Sequence, residues 1–395
     1  MNPADLPRAL TLEAPLRGDA LLAAVRTVAQ GPLAQVVQSI DREGHYPLAV
    51  LQQLAGVGGM SAHLDTAAGP ADYGLGLRAM AEASRVCGST GFMMWCHAVC
   101  GLYLQESGNP ALMGQALQQH IGGQTLGGTA LSNPMKSYAQ IESLLLKATP
   151  VAGGYRVSGS LPWVSNLAPS HYCGAIAAVV EDASAAAPGS STSATSATRE
   201  VMFLLRCDAP GVELRECPSF SGMEGTSTYA LKLENHFVGA DALIADPAKP
   251  TIARIRAAFV LLQCGWGLGV TQGAIDSIWA VEAQLGHVNQ FLDDRPDTLQ
   301  AELDALTARI LALATTPFDT STDYLIDVLD VRAHTSELCL RAAQSALMHQ
   351  GARGYLLSSE VQRRVRESHF VAIVTPAIKH LRKEIARLSA EEMPA

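Results

Sequence analysis

The 395-residue chain is 48% hydrophobic and 5% aromatic, and it carries a formal charge of -9. No long Lys/Arg run accompanies that charge, which argues against nucleic acid as a partner. The eight cysteines form no CxxC pair and no Cys/His cluster, and no charged-then-apolar leader opens the chain. These features predict a cytoplasmic protein with free thiols, no metal site and no membrane partner.

Residues 1–125 read as an Ala/Leu-rich helical domain. Leu21, Leu22, Val25, Val28 and Ala29 recur at three- and four-residue steps, as one buried helix face requires. Gly56, Gly58 and Gly59 break this pattern, and a second helical block runs over about 75–106. That block carries His97 within Trp95-Cys96-His97-Ala98, a lone His in an apolar helix, where a satisfied core position is the commoner outcome.

Residues 126–245 change texture and read as a middle β domain. Strand-like runs lie near 154–158, 174–180, 201–205 and 229–233, with Gly153-Gly154 as a hairpin turn. Residues 182–198 are almost entirely Ala, Ser, Thr, Gly and Pro and read as a flexible insertion in that domain.

Residues 246–395 return to helical period, over about 252–284, 298–315, 322–350 and 358–388. The apolar run Ala257–Val270 is too short to span a bilayer, contains Gln263, and reads as a buried helix. Arg363, Arg364 and Arg366, with Glu367 beside them, read as a solvated helix face. Thr375-Pro376 suits the start of the last helix, because Thr caps well and Pro has no N–H to satisfy.

Several segments, in order, resemble the acyl-CoA dehydrogenase family over almost the whole chain. Gly128-Thr129-Ala130-Leu131-Ser132-Asn133-Pro134 is similar to the segment that enters the family's β domain. Trp163-Val164-Ser165-Asn166 is similar to its Trp-Ile-Thr-Asn. Ser221–Thr228 resembles its Gly-Met-(Arg)-Gly segment, and Leu268–Asp276 its Gln-Gly-Ala bundle helix. His349-Gln350-Gly351-Ala352-Arg353-Gly354-Tyr355 resembles its Gly-Gly-x-Gly-Tyr turn, with an extra residue and with Gln350 interrupting the glycines.

The resemblance implies a mainly helical fold with a central β domain: an N-terminal helical domain, a middle β-barrel domain and a C-terminal four-helix bundle. It implies FAD held between them, with FMN or a reversibly bound reduced flavin as alternatives, in a homotetramer or homodimer. Trp163 inherits packing on the flavin and Ser165 a hydrogen bond to its reactive edge. Leu131, Ser132 and Asn133 inherit contacts to the ring, and Gln350, Gly351 and Arg353 contacts to a neighbouring subunit's cofactor.

Two departures bear on function. The family's catalytic Glu, which removes an α proton from a thioester, is replaced by Thr375, and the place used by a few members falls near Phe259. A hydroxyl is far too weak a base for that step. The family's Arg-x-x-Phe-Gly segment is replaced by Gly286–Phe291, which implies a weaker hold on FAD.

Three readings follow. The first is an FAD-dependent oxidoreductase acting on an acyl-CoA or similar small substrate, its base unidentified, and family frequency puts it narrowly ahead. The second is a flavin-dependent monooxygenase supplied with reduced flavin by a partner reductase, with His97, Asn133 and Ser165 as its polar pocket groups. The third is a non-catalytic scaffold, which the retained Trp163 and Ser165 disfavour. His97 and Thr375 are the candidate catalytic residues.

Overall fold

The computed structural model describes residues 16–180 and 199–392; the insertion read at 182–198 lies outside them. Seven helices and the first strand lead in: α1 Gly18–Val28, α2 Ala34–Glu43, α3 Leu48–Gly56, α4 Tyr73–Val86, α5 Gly88–Gln105, α6 Leu117–Ile121, β1 Gly127–Thr129 and α7 Ser132–Tyr138. Leu21, Val25 and Val28 of α1 are buried at the expected spacing. The block read as continuous over 75–106 is two helices. Cys87 between them is extended, at φ -146°, and α4 starts on Asp72, whose side chain accepts from Leu75 N at 2.8 Å. Every α5 residue from Gly88 to Leu104 is buried, so no apolar stripe marks which face does what.

The strands continue as β2 Lys147–Val151, β3 Gly154–Val164, β4 Tyr172–Val179, β5 Glu200–Arg206, β6 Val212–Glu216, β7 Tyr229–Gly239 and β8 Leu243–Ala245. The hairpin read at Gly153-Gly154 joins β2 to β3, with Val151 paired to Gly154 and Gly153 at φ +82°. The order is β6-β7-β3-β2-β4-β5-β8, with β1 parallel to β4. Among the described residues these eight strands form the single sheet of the middle β domain, with β6 and β8 at its ends. The strand read at 229–233 runs on to Gly239, because Phe237 and Val238 keep pairing with Arg156 and Tyr155.

Five helices follow: α8 Ala248–Asn289, α9 Pro296–Leu313, α10 Thr322–Gln350, α11 Glu360–Ile373 and α12 Ile378–Glu392. They exceed the four expected because the segment read as one helix over 358–388 is two, separated at Thr375-Pro376. Proline removes an N–H and drives the residue before it out of the helical region. Helix α8 is long and apolar enough to cross a membrane by composition, but 94% of that window is buried inside the molecule. It packs on α4 and α10. A Cβ at Gly265 would lie 2.7 Å from Leu77 O, and one at Gly269 would overlap Ala81 O, so these glycines set how closely α4 approaches. All eight cysteines are free thiols.

The basic face read at 363–366 is corrected. Arg363 and Arg364 are 2% and 3% exposed. Arg363 pairs with buried Glu367 at 2.7 Å, Arg364 with Glu360, and Glu367 also accepts from Gly88 N at 2.9 Å. These charges tie α11 to the start of α5 instead of facing solvent.

Candidate active site

Where α5, α7, β3, α8 and α11 converge there is a cavity of about 440 Å³, within the usual range for small-molecule sites. Aromatic rings form its floor. Phe92 stacks on Trp95 with centroids 5.5 Å apart and meets Phe370 edge-on at 4.9 Å, while Trp95 meets Phe259 edge-on at 5.2 Å. Trp163, at the end of β3, is 62% exposed and holds its indole in the cavity, edge-on to Phe220 at 6.3 Å. The chain has only 8 Phe and 4 Trp, and half of them line this one space.

Hydroxyls supply the polar part. Ser165 Oγ lies 2.7 Å from Thr228 Oγ1, which lies 2.8 Å from Thr226 Oγ1. Ser132 Oγ lies 2.8 Å from Thr375 Oγ1. The two cations of the wall are already partnered. Arg366 makes a two-point pair with Asp41 at 2.8 and 2.7 Å, and Lys136 pairs with Glu142 at 3.2 Å. His369 contributes an imidazole from the exposed side of α11. Cys96 contributes a thiol that burial pushes well up, so it stays protonated. No carboxylate is among the residues lining this cavity.

Residues 18–124 match the family model "Acyl-CoA dehydrogenase, N-terminal domain". Mitochondrial isovaleryl-CoA dehydrogenase of Oryza sativa subsp. japonica is 30% identical over 57% of this chain, which spans about half (53%) of that relative's length. Butyryl-CoA dehydrogenase of Megasphaera elsdenii superposes with a TM-score of 0.80 at 15% identity, over 96% of this chain and all of that one. Along most of its length the chain is similar to acyl-CoA dehydrogenases, and its N-terminal helical region matches their family model. A second branch with this fold is also near: dibenzothiophene monooxygenase of Paenibacillus sp. A11-2 superposes with a TM-score of 0.76 at 16% identity, over 95% and 98% of the two chains.

Of the residues singled out from the superfamily resemblance, the structure brings Ser132, Trp163, Ser165 and Thr375 together in the cavity. Phe259, the alternative place for a base, lines it too. Thr375 is not a helix cap. Helix α12 begins three residues later, and the Thr375 hydroxyl is bonded to Ser132 instead.

His97 does not reach the cavity. It is fully buried, with its ring 3.6 Å from that of His120, and each ring donates from Nε2 to the other's backbone carbonyl. Its Nδ1 accepts from Gly127 N, so its two nitrogens are spent on joining α5 to α6 and to β1. Asn133 points away as well. Its amide binds Glu142 and Ser143 O and its oxygen accepts from Leu145 N, which shapes the turn into β2. Leu131 is core. Gln350 donates to Ser277 O, and Gly351 and Arg353 are exposed past the end of α10, outside the cavity.

Sequence reading did not bring His369, Phe370, Phe92 or Trp95 to the site, and it placed Arg366 on a solvated helix face. For the rings, aromatic scarcity could have served as a flag, since clustered rings stand out in a chain this poor in them.

A second, open cleft of about 500 Å³ lies between α4 and the end of α9. Its one arginine, Arg17, is spent on Ala62 O, Gly69 O and Thr66 Oγ1.

Proposed function

We propose that the chain is a flavin-dependent oxidoreductase that uses oxygen to oxidise a neutral, apolar, aromatic small molecule, with reduced flavin supplied by a partner reductase. The observation that carries this reading is a cavity wall without a carboxylate. Three carboxylates bond residues of the wall from behind it, and each is spent there: Asp41 on Arg366, Glu142 on Lys136 and Glu224 on Phe220 N. Neither Thr375 nor Phe259 can remove an α proton.

The residues fit a flavin. Trp163 offers a flat apolar face, and the Ser165, Thr228 and Thr226 hydroxyls offer a polar edge beside it. When bound, the flavin supplies the redox chemistry, including reaction with oxygen once reduced. Phe92, Trp95, Phe259 and Phe370 hold an apolar ring and exclude water. Because Arg366 and Lys136 are neutralised, no free charge selects an ionic substrate. His369, between cavity and solvent, exchanges a proton between the two. The Paenibacillus monooxygenase has been solved with FMN and with indole bound, which supports this reading.

The dehydrogenase reading, favoured by the relatives' names, needs a carboxylate from elsewhere. Anaerobic mixing of the flavin-loaded protein with butyryl-CoA separates the two. The flavin absorbance is expected to persist; rapid bleaching would establish the dehydrogenase.

A further inference from the structure

Arg332 on α10 is completely buried and belongs to no ion pair among those of the described residues. Its donors meet neutral acceptors: Gln263 Oε1 at 2.9 Å, Val371 O at 2.7 Å, and Ser336 Oγ. Its titratable neighbours are the thiols of Cys264 and Cys339, which burial pushes up to about 11 and about 12 and so keeps neutral. A guanidinium remains charged in such a place, and an uncompensated buried charge is costly. Two connections lead from it to the cavity. The bond to Val371 O holds the last turn of α11, which carries His369, Phe370 and Ile373. Gln263, equally buried, accepts from Arg332, so its amide N–H₂ must face the other way. There it donates to Thr375 O at 2.9 Å. Thr375 in turn bonds Ser132 on the opposite wall.

We propose that Arg332, acting through Gln263, is a positioning residue for the His369–Thr375 wall, and that its unneutralised charge favours the reduced, more negative form of the flavin in the cavity. This rests on the flavin reading above. A positive charge two hydrogen bonds from the wall, in a medium poorer in water than the surface, biases a one-charge difference by about tenfold.

The test is Gln263→Glu, with anaerobic titration of wild type and variant by oxidised and by reduced FMN, and a melting curve for each protein. The new carboxylate neutralises Arg332 within a filled buried pair but cannot donate to Thr375 O. Reduced FMN is expected to lose about tenfold in affinity relative to oxidised FMN, with melting little changed. Arg332→Lys keeps the charge and gives up the fork, so it should weaken both forms alike and preserve their ratio. An unchanged ratio in Gln263→Glu, or an equal fall of the ratio in Arg332→Lys, would overturn the proposal. Absence of FMN binding by the wild type would instead sink the flavin reading itself.

Discussion

Trp163 and His369 carry different burdens, and their substitution should separate binding from turnover. Trp163 is mostly solvent-exposed, so little of the fold depends on it. Trp163→Ala is expected to raise the FMN dissociation constant about tenfold by loss of ring stacking. The unfolding free energy should move by no more than about 0.5 kcal/mol. Flavin fluorescence titration and urea unfolding read the two effects; an unchanged affinity would remove Trp163 from the site. For His369→Gln, FMN binding should hold while turnover falls about 100-fold, the usual scale of a positioned proton-transfer group. Turnover within twofold of wild type would leave His369 as a mouth residue only. That Trp163 and Ser165 lie at one place was legible because their motif is local to the end of β3. His97 was not placed correctly, because α5 is buried on every side and its periodicity cannot say which face meets the cavity. His369 escaped notice because its neighbours in the chain, Arg363 and Arg364, look like a solvated face until their buried partner Glu367 is seen.

At the scale of elements, α4 and α8 are held closer than side chains would ordinarily allow. Gly269 of α8 faces Ala81 and Ser84 of α4 with no room for a Cβ. In isolation Gly→Ala in a helix gains about 1 kcal/mol, whereas forcing an atom into a packed interface costs about 1–3 kcal/mol. The packing cost should win, so Gly269→Ala should lower stability in urea unfolding; a gain would show that α4 has room to retreat. The middle sheet was legible in part from turn chemistry, as at Gly153-Gly154. The short β1 and β8 were not, since each is three residues long and is defined by its partner strand. The Arg332–Gln263 bond joins side chains 69 positions apart, a relation that no local pattern encodes.

The whole molecule should be sensitive to mild acid. His63, His97 and His120 are fully buried, and burial lowers all three: to about 4 for His63, to about 3 for His120, and well below the ordinary value for His97. Between pH 6.5 and those values the unfolded chain binds protons that the folded one refuses. Stability is therefore full above pH 6.5 and falls as pH drops through that window. From pH 7.5 to 5.5 the three together cost on the order of 4 kcal/mol. Urea midpoints at the two pH values check this, and His120→Gln should flatten the slope; equal midpoints in the wild type would contradict the buried neutral pair of His97 and His120. The order of helices, sheet and helices was legible in the sequence because composition changes abruptly near residues 126 and 245. The reaction was less so, because it turns on which side chains from five separate elements share one wall.

The central claim is that this wall, which lacks a carboxylate, serves oxygen chemistry on an apolar ring. The most direct measurement is mass spectrometry of the product formed by the purified protein from indole, reduced FMN and isotopically heavy oxygen gas. The account predicts an oxygenated product carrying the heavy isotope. Unchanged indole, together with reduction of the bound flavin by butyryl-CoA, would contradict it.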